Sequence, residues 1–393
     1  MNRKISLGLA VSLMALIAAL TFILTMEYSK KSFNQKVSDV ERLSEKFEKL
    51  DELDSMVDEH FYKDTADSEI IDGIMSGYVQ GLGDRYSNYM NAEEYTANQD
   101  ASAGTYTGIG ITVTKSENGE ALIVEVAQNG PAAEHGIEPD DVIVKVGDMP
   151  VTEHYDEALS NIVGDAGTRV RITIRKAKTG KEQTLSVVRR AIDEITVSYE
   201  MLDNQIGYIR ITKFRTVTAN QFETALTELQ KSGAKGILFD VRNNGGGLLD
   251  ALEKMLDPLL PEGDIAFAYH KSGEQDVIVH SDTNKLEMPI VVLMNGNTAS
   301  AAELFACSLR DYADAVLVGE KSFGKGIMQT TYPLSDGSAV ILTTATYATG
   351  KTPCYHEIGL EPDVLSVLEK DAEEDTQLLD AQKTLLAKIS ETQ

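Results

Sequence analysis

After Ile192, short apolar strands alternate with amphipathic helices, and this rhythm limits the fold more than any other feature of the sequence. Near-continuous apolar strands are typical of a parallel sheet that is buried on both faces. The strands are IGYIRI, GILFDV and PIVVLM, and the helices span 219–232 and follow Leu248 and Ala299. The pattern therefore predicts an α/β core built from consecutive βαβ units.

A different pattern occupies residues 104–192, where short β-prone runs are separated by glycine turns. Such spacing predicts a small β-rich module. The module opens on Gly108-Ile109-Gly110-Ile111, in which glycines let successive backbone N–H groups converge on a carboxylate. A dinucleotide site is disfavoured, because Val113 stands where the third glycine of that fingerprint belongs.

The N-terminus contains an uncharged stretch of 22 residues, Ile5 to Met26, which is long enough to cross about 30 Å of hydrocarbon as a helix. It exceeds the apolar region of a cleaved signal peptide, and no Ala-x-Ala-like site follows. We interpret it as an uncleaved signal-anchor, with cleavage as the alternative. The short tail before it favours a cytoplasmic N-terminus, a single pass through the cell membrane and a body on the extracytoplasmic side.

The charge balance limits the partners and cofactors. The chain carries 36 basic and 62 acidic residues, a net charge of −26, whereas nucleic-acid binding needs a basic stripe. Two cysteines, Cys307 and Cys354, cannot build a cysteine zinc site or a disulfide framework, although a single bridge between them stays open. We therefore expect no nucleic-acid partner, no metal and no cofactor.

Helical patterns flank these regions. Residues 68–95 resemble a second helix with a loop at Gly83–Ser87, and 371–393 an acidic amphipathic helix. In 35–62 the apolar residues recur at heptad-like spacing. This segment is either a solvated juxtamembrane helix or a dimer-forming arm, and together with the C-terminal helix it is a candidate interface for a homodimer.

Three segments of the α/β region contain candidate catalytic residues. DVRNNGGG (240–247) follows a buried strand, and its glycines let backbone N–H groups face a ligand; the alternative is an ordinary strand-to-helix turn. In NGNTASAAE (295–303), Ser300 opens a helix, where a serine faces the cleft and the next N–H groups can hold an oxyanion. The alternative for Ser300 alone is a helix N-cap.

The third segment, SFGKGIMQ (322–329), nearly matches a nucleotide-binding P-loop. Gly326 replaces the Ser or Thr that would meet magnesium, so nucleotide binding is disfavoured. Together the three segments supply oxyanion donors, a hydroxyl nucleophile and a possible base. No histidine lies in a motif, so a histidine-based triad stays open but unsupported. Lysine can serve as the base if it is neutral, and burial lowers the pKa of a lysine. The glycines beside Lys325 and the apolar Phe323 and Ile327 are compatible with such burial.

On these residues the chain resembles the carboxyl-terminal processing peptidases, also called tail-specific proteases. The resemblance spans about 60–366 and includes the Gly83–Ser87 loop, the three segments above and GLEPD (359–363). It implies an α/β, ClpP/crotonase-like peptidase core with an inserted PDZ domain. The implied divisions are a signal-anchor at 1–26, a helical region at 27–103, a PDZ domain at 104–192, the core at 193–370 and a C-terminal helix at 371–393.

The resemblance also implies a catalytic centre. The family uses a Ser–Lys dyad with a glutamine four residues after the lysine, and these positions fall on Ser300, Lys325 and Gln329. The glutamine would orient the neutral amine. The implied oxyanion donors are the backbone N–H groups of Ala301 and of either Gly245 or Gly246, with Gly246 favoured.

Residues 108–162 carry the order of motifs that resembles a PDZ domain. By that resemblance, a peptide C-terminus would add as a strand along Ile109–Val113. An apolar pocket would be lined in part by Leu159 and Ile162. The implied peptide-binding residues are Gly108, Ile109, Gly110, Ile111, Leu159 and Ile162.

The implied function is that of a membrane-anchored serine endopeptidase which recognises proteins with exposed C-terminal tails. Two alternatives stay open: a non-catalytic PDZ adaptor or holdase on a peptidase-like fold, and an acyl-CoA enzyme of crotonase type. The chain departs from many relatives at Arg85, where they carry proline, and at Val163, where they carry arginine. If that arginine couples PDZ docking to activation, this chain is regulated differently.

Overall fold

A computed structural model describes residues 7–116, 118–127, 130–282, 285–368 and 374–392. The chain divides into two compact units, residues 1–73 and 74–393. Each unit is described by itself.

The first unit is dominated by one helix, α1 (Leu7–His60), of 54 residues. The predicted signal-anchor and the predicted juxtamembrane helix are therefore parts of one continuous helix; Ile5 lies outside the described residues. Within it, Ser12–Lys31 is long and apolar enough to cross a membrane, and none of its apolar window is buried. Phe47 and Leu53 of the heptad-like segment are exposed, whereas the side chains of 34–46 lie outside the described part.

The region before the β-rich module consists of two helices with a short strand between them, rather than the one helix and loop that the sequence predicts. The predicted loop at Gly83–Ser87 is present, and Gly83 has a φ of 70°. A single helix that extends to residue 95 is wrong, because the first helix ends at Gln80. A capping box between Asn91 and Glu94 starts the next helix, and Gly104 ends it in a left-handed conformation. The elements are α2 (Asp67–Gln80), β1 (Asn88–Met90) and α3 (Ala92–Ala103).

The β-rich module forms as predicted. Its sheet has the order β3-β4-β5-β7-β8, with β6 on β5, while β2 pairs with β9. Because β3 lies at the edge of the sheet, one side of it is open to a further strand. The elements are β2 (Thr105–Gly108), β3 (Ile111–Lys115), β4 (Ala121–Val126), α4 (Pro131–Glu134), β5 (Val142–Val146), β6 (Met149–Pro150), α5 (Tyr155–Ser160), β7 (Arg169–Arg175), β8 (Glu182–Val188) and β9 (Arg190–Asp193).

The remaining elements build the α/β core. In chain order they are β10 (Val197–Leu202), β11 (Ile206–Ile211), α6 (Thr218–Lys231), β12 (Gly236–Asp240), α7 (Leu249–Leu256), β13 (Gly263–His270), β14 (Gln275–Ser281), β15 (Ile290–Met294), α8 (Ala301–Ala313), β16 (Val316–Gly319), β17 (Ile327–Pro333), β18 (Ala339–Thr349), β19 (Val364–Leu365) and α9 (Thr376–Thr392).

The main sheet has the order β10-β11-β12-β15-β16-β19, and its strands from β11 to β19 run parallel. Alternation along β12 buries Ile237 and Phe239 in a cluster with α6, α7 and α8, and Leu238 in a cluster with α9. A Cβ on Gly236 would lie 2.9 Å from Leu385 of α9, so glycine lets this helix pack closely. The predicted α/β core with buried parallel strands is confirmed.

The apolar face of α9 packs against this sheet through Ala381, Leu385 and Ile389. Those three side chains are buried within the chain. They therefore do not form the exposed surface that the homodimer hypothesis needs. Residues 371–373 of the predicted helix lie outside the described residues.

A second sheet, which the sequence does not predict, packs beside the first. Its central strand β18 pairs antiparallel with β1, β13 and β17, and β14 pairs with β13. The Thr343 backbone N–H of β18 donates to Ser87 Oγ at 3.1 Å. This sheet thereby joins the loop at 83–87 to the segment that carries Lys325 and Gln329.

Candidate active site

A cavity of about 680 Å³ opens beside the carboxyl ends of β12 and β15, where ligands bind in open α/β sheets. Four of the predicted site residues line it together: Gly246, Ser300, Lys325 and Gln329. Gly246 lies in the loop after β12, Ser300 in the turn after β15, and Lys325 and Gln329 in the loop before β17 and in β17 itself.

Ser300 lies in the turn between β15 and α8, with φ 58° and ψ −124°. A residue with a side chain adopts this left-handed region only when its surroundings impose it, at a cost of about 1–3 kcal/mol. A sharp strand-to-helix turn of this kind exposes the nucleophilic serine in α/β-hydrolases. The Ser300 backbone N–H donates to Glu303 Oε2 at 2.9 Å, which fixes the turn.

The glycine segment after β12 lies directly against Ser300. A Cβ on Gly246 would lie 2.8 Å from Ser300 Cβ and 2.9 Å from the Ala301 nitrogen, and its φ is +97°. Among the described residues, nothing accepts a hydrogen bond from Ala301 N–H. Gly246 N–H donates to Asn244 Oδ1 at 2.9 Å. Of the two favoured oxyanion donors, the Ala301 N–H thus has no described acceptor, whereas the Gly246 N–H is already hydrogen-bonded within its own loop.

Lys325 is half-buried, and its Nζ lies 4.6 Å from the centroid of the Tyr86 ring. No hydrogen bond joins this amine to Ser300 in the described structure. Burial lowers the pKa of the Lys325 amine; Arg85 acts in the same direction, whereas Asp84 and Glu303 oppose it. The amine is therefore easier to deprotonate than that of an exposed lysine.

Gln329 also lines the cavity, on β17. Its Nε2 donates to Thr343 Oγ1 at 3.3 Å. Within the described residues it makes no hydrogen bond to Lys325, so its role as the orienting group stays a prediction.

Sequence reasoning missed Glu303. This carboxylate is fully buried at the start of α8. It accepts four hydrogen bonds of 2.5–2.9 Å, which join the serine turn to the lysine loop; the donors are Ser300 N, Ser322 Oγ, Gly324 N and Lys325 N. The sequence signal was an acid inside an otherwise apolar helix, AAELFACSL.

The predicted peptide-binding residues lie in the β-rich module, with less exposure than expected. Ile109 and Ile162 are buried in the core of the module, with 1% and 7% of their surfaces exposed. Ile109 precedes β3, and its carbonyl accepts from Ala132 N–H at 2.8 Å. Leu159 is partly buried, Ile111 begins the open edge strand, and the glycines at 108 and 110 are buried beside it.

Comparison with known families shows which domains the chain contains. Residues 205–366 match the model of peptidase family S41, residues 107–188 that of the PDZ domain, and residues 9–94 that of the activating protease CtpB N-terminal domain. The carboxy-terminal processing protease CtpA of Bacillus subtilis (strain 168) is 36% identical over 387 residues, which cover 98% of this chain and 81% of that protein.

The chain belongs to the carboxy-terminal processing proteases of peptidase family S41. A CtpA-like serine protease of Staphylococcus saprophyticus is 30% identical over 344 residues, or 86% of this S41 protease and 69% of the relative. A solved S41 protease structure from Bacteroides fragilis covers 84% of this chain and 98% of its own, with a TM-score of 0.50 at 16% identity, and supports the fold.

We expect Gly246→Ala to lower kcat/KM of this S41 protease by about 10²–10³-fold, the loss typical of one oxyanion donor. The added Cβ would collide with Ser300 and Ala301, and displace both. Cleavage of a quenched fluorescent peptide measures the effect. Gly273→Ala is the matched control: Gly273 has a φ of +86°, but nothing lies within 4 Å of its Cβ position. Equal losses in both variants would contradict a specific effect at the site.

Proposed function

We propose that this S41 protease is a membrane-anchored carboxyl-terminal processing endopeptidase with Ser300 as nucleophile and Lys325 as general base. The observation that carries the proposal is that both side chains line one cavity beside the unengaged Ala301 N–H. Ser300 lies on a sharp turn, and Lys325 has a lowered pKa. Nucleophile, base and electrostatic stabiliser are the parts that acyl transfer requires.

In the proposed reaction, neutral Lys325 takes the proton of Ser300 Oγ as this oxygen attacks the peptide carbonyl carbon. The resulting oxyanion is held by Ala301 N–H and by a second donor on the glycine segment. Lys325 then gives the proton to the leaving amine as the C–N bond breaks, which leaves an acyl-enzyme. Water attacks the ester with Lys325 again as base, and releases the acid and Ser300.

Two movements precede this reaction. The Lys325 amine leaves the face of Tyr86 and turns toward Ser300, since the two are not hydrogen-bonded at rest. Gly246 N–H leaves Asn244 if it is to serve as the second donor; otherwise Gly245 N–H, which makes no hydrogen bond to the described residues, takes that position. Catalytic contacts commonly tighten only when substrate binds.

The remaining parts of the proposal concern recognition and placement. The open edge of β3 accepts the C-terminal strand of a substrate, with Gly108–Ile111 near its carboxylate. The apolar part of α1 anchors the chain in the membrane, with the catalytic body on the extracytoplasmic side. We retain the divisions at 26, 103, 192 and 370, and a ClpP/crotonase-like relationship of the core.

The test is digestion of peptides and exported proteins with apolar C-terminal tails, followed by mass spectrometry. We expect new fragments with the wild-type protein and none with Ser300→Ala. Binding of a tail without cleavage by the wild type would instead support the PDZ adaptor or holdase.

The pH dependence follows from the state of Lys325. Only the neutral amine accepts a proton, so kcat/KM rises as pH rises through the pKa of Lys325. Because that pKa is lowered from 10.5, the rising limb of the pH–rate profile lies at a lower pH than the pKa of an exposed lysine. We expect Arg85→Gln to move the limb to higher pH, since Arg85 lowers this pKa, and Asp84→Asn to move it to lower pH. Identical pH profiles for all three proteins would contradict Lys325 as the base.

A further inference from the structure

The cavity beside Ser300 has a charge opposite to that of the chain. The charged residues that line it are Lys213, Arg215 and Lys325, and no acidic residue is among the described lining residues. The chain as a whole has a net charge of −26. The local basic character is therefore a property of this cavity rather than of the composition.

Arg215 is held beside the cavity by its neighbour in sequence. Phe214 is fully buried in the main core. Its N–H donates to the Gly246 carbonyl at 3.1 Å, and its carbonyl accepts from Leu248 N–H at 2.8 Å. These bonds align the segment with the glycine segment that faces Ser300, and alternation about a buried Phe214 leaves Lys213 and Arg215 at the cavity.

The three cations differ in their partners. Lys213 Nζ lies 2.6 Å from a carboxylate oxygen of Glu194, and Lys325 has its role in proton transfer. The Arg215 guanidinium has neither an ion pair nor a hydrogen bond within the described residues, and its Nε is buried without a partner. A buried donor without an acceptor is costly, and an arriving acceptor that satisfies it gains that free energy.

The stem of Arg215 packs against a residue without a side chain. A Cβ on Gly104, at the end of α3, would lie 2.8 Å from Arg215 Cβ. The Arg215 backbone N–H also donates to Thr218 Oγ1 at 2.9 Å. The base of the side chain is thus fixed, which lowers the entropy lost when the guanidinium binds a partner.

We propose that Arg215 binds a carboxylate of the peptide substrate, so that the protease prefers an acidic group near the bond it cleaves. A guanidinium presents paired donors that match the two oxygens of a carboxylate. The inference rests on the proposed function, because it assigns specificity to the same cavity. The carboxylate is either an Asp or Glu side chain or the terminal carboxylate of a short tail.

The test compares quenched fluorescent peptides that differ only by Glu or Gln at one position, moved in turn across the residues on both sides of the cleaved bond. For the wild type we expect a Glu peptide to have a kcat/KM at least about tenfold above its Gln counterpart at one position. With Arg215→Gln the ratio falls to about one, while cleavage of the Gln peptide persists. Lys271→Gln, which removes an exposed cation elsewhere, keeps the wild-type ratio.

A second pair of peptides, with a free acid or an amide at the C-terminus, separates the two sources of the carboxylate. Loss of a preference for the free acid in Arg215→Gln assigns Arg215 to the terminus, and loss of the Glu preference assigns it to a side chain. Ratios near one for the wild type in both series, or ratios unchanged by Arg215→Gln, overturn the inference.

A binding measurement tests the role of Arg215 separately from the proposed role of Ser300 as nucleophile. Binding of the same peptides to Ser300→Ala, followed by fluorescence anisotropy, needs no cleavage. Preferential binding of the acidic peptide that is lost in the Ser300→Ala/Arg215→Gln double variant supports Arg215 even if Ser300 is not the nucleophile. Equal binding of acidic and neutral peptides by both proteins counts against Arg215.

Discussion

Ser300→Ala is expected to lower kcat/KM for a tail peptide by at least about 10⁴-fold, because it removes the oxygen that attacks in the proposed mechanism. The residual rate would come from binding and oxyanion stabilisation alone. Alanine keeps the Cβ that packs against Gly246, so the fold should not change. Fragment release measured by mass spectrometry, with a circular dichroism spectrum of each protein, checks both parts.

Lys325→Met is the partner variant, since methionine keeps the length of the stem and removes the amine. We expect a loss of similar size. The proposed mechanism uses the two groups as a unit, so the double variant with Ser300→Ala should be no worse than either single variant. Lys321→Met is the control: Lys321 belongs to the same loop but forms an exposed ion pair with Glu361 at 2.7 Å. Near-wild-type cleavage by Ser300→Ala would refute the assignment.

Glu303→Gln is expected to reduce both activity and stability. Its carboxylate accepts four hydrogen bonds, one from the serine turn and three from the lysine loop. An amide offers one acceptor oxygen and turns two N–H donors toward other donors, so buried groups lose their partners. We expect kcat/KM to fall by about 10²-fold or more, and the free energy of unfolding by about 3 kcal/mol.

Urea denaturation and peptide cleavage on the same preparation separate these two effects. If Glu303 positions Ser300 and Lys325, the loss of kcat/KM exceeds the fraction of unfolded protein at the assay conditions. Glu262→Gln replaces an exposed acid and should change neither quantity. Full activity of Glu303→Gln in a folded protein would mean that the two loops hold their positions without it.

Much of the core could be predicted from the sequence, because its strands and helices are local patterns. Three apolar runs with helical segments between them predicted β11, β12 and β15 and the helices that follow them, and the structure has these elements within about a residue or two. The loops after β12 and β15 meet in the structure because these strands are parallel neighbours and their carboxyl ends lie at one edge. Lys325 was first singled out as a possible base in the SFGKGIMQ segment, and the family resemblance then assigned it to the dyad.

The antiparallel sheet was not predicted, because its pairing joins segments that are far apart in the chain. Asn88 in β1 pairs with Ile341 in β18, and no local pattern encodes such a contact. The same limit hid the contact of Lys325 with Tyr86 and the location of Arg215 at the cavity. Glu303 was hidden for another reason: its partners are mostly backbone N–H groups, which carry no sequence signature.

The left-handed backbone at Ser300 has a consequence for how this protein can change over time. Glycine would occupy that conformation without strain, but it lacks the hydroxyl. If Ser300 has the proposed role, a substitution by glycine that relieves the strain and adds stability also removes activity. Adaptation to a hotter environment has to gain its stability from other parts of the molecule.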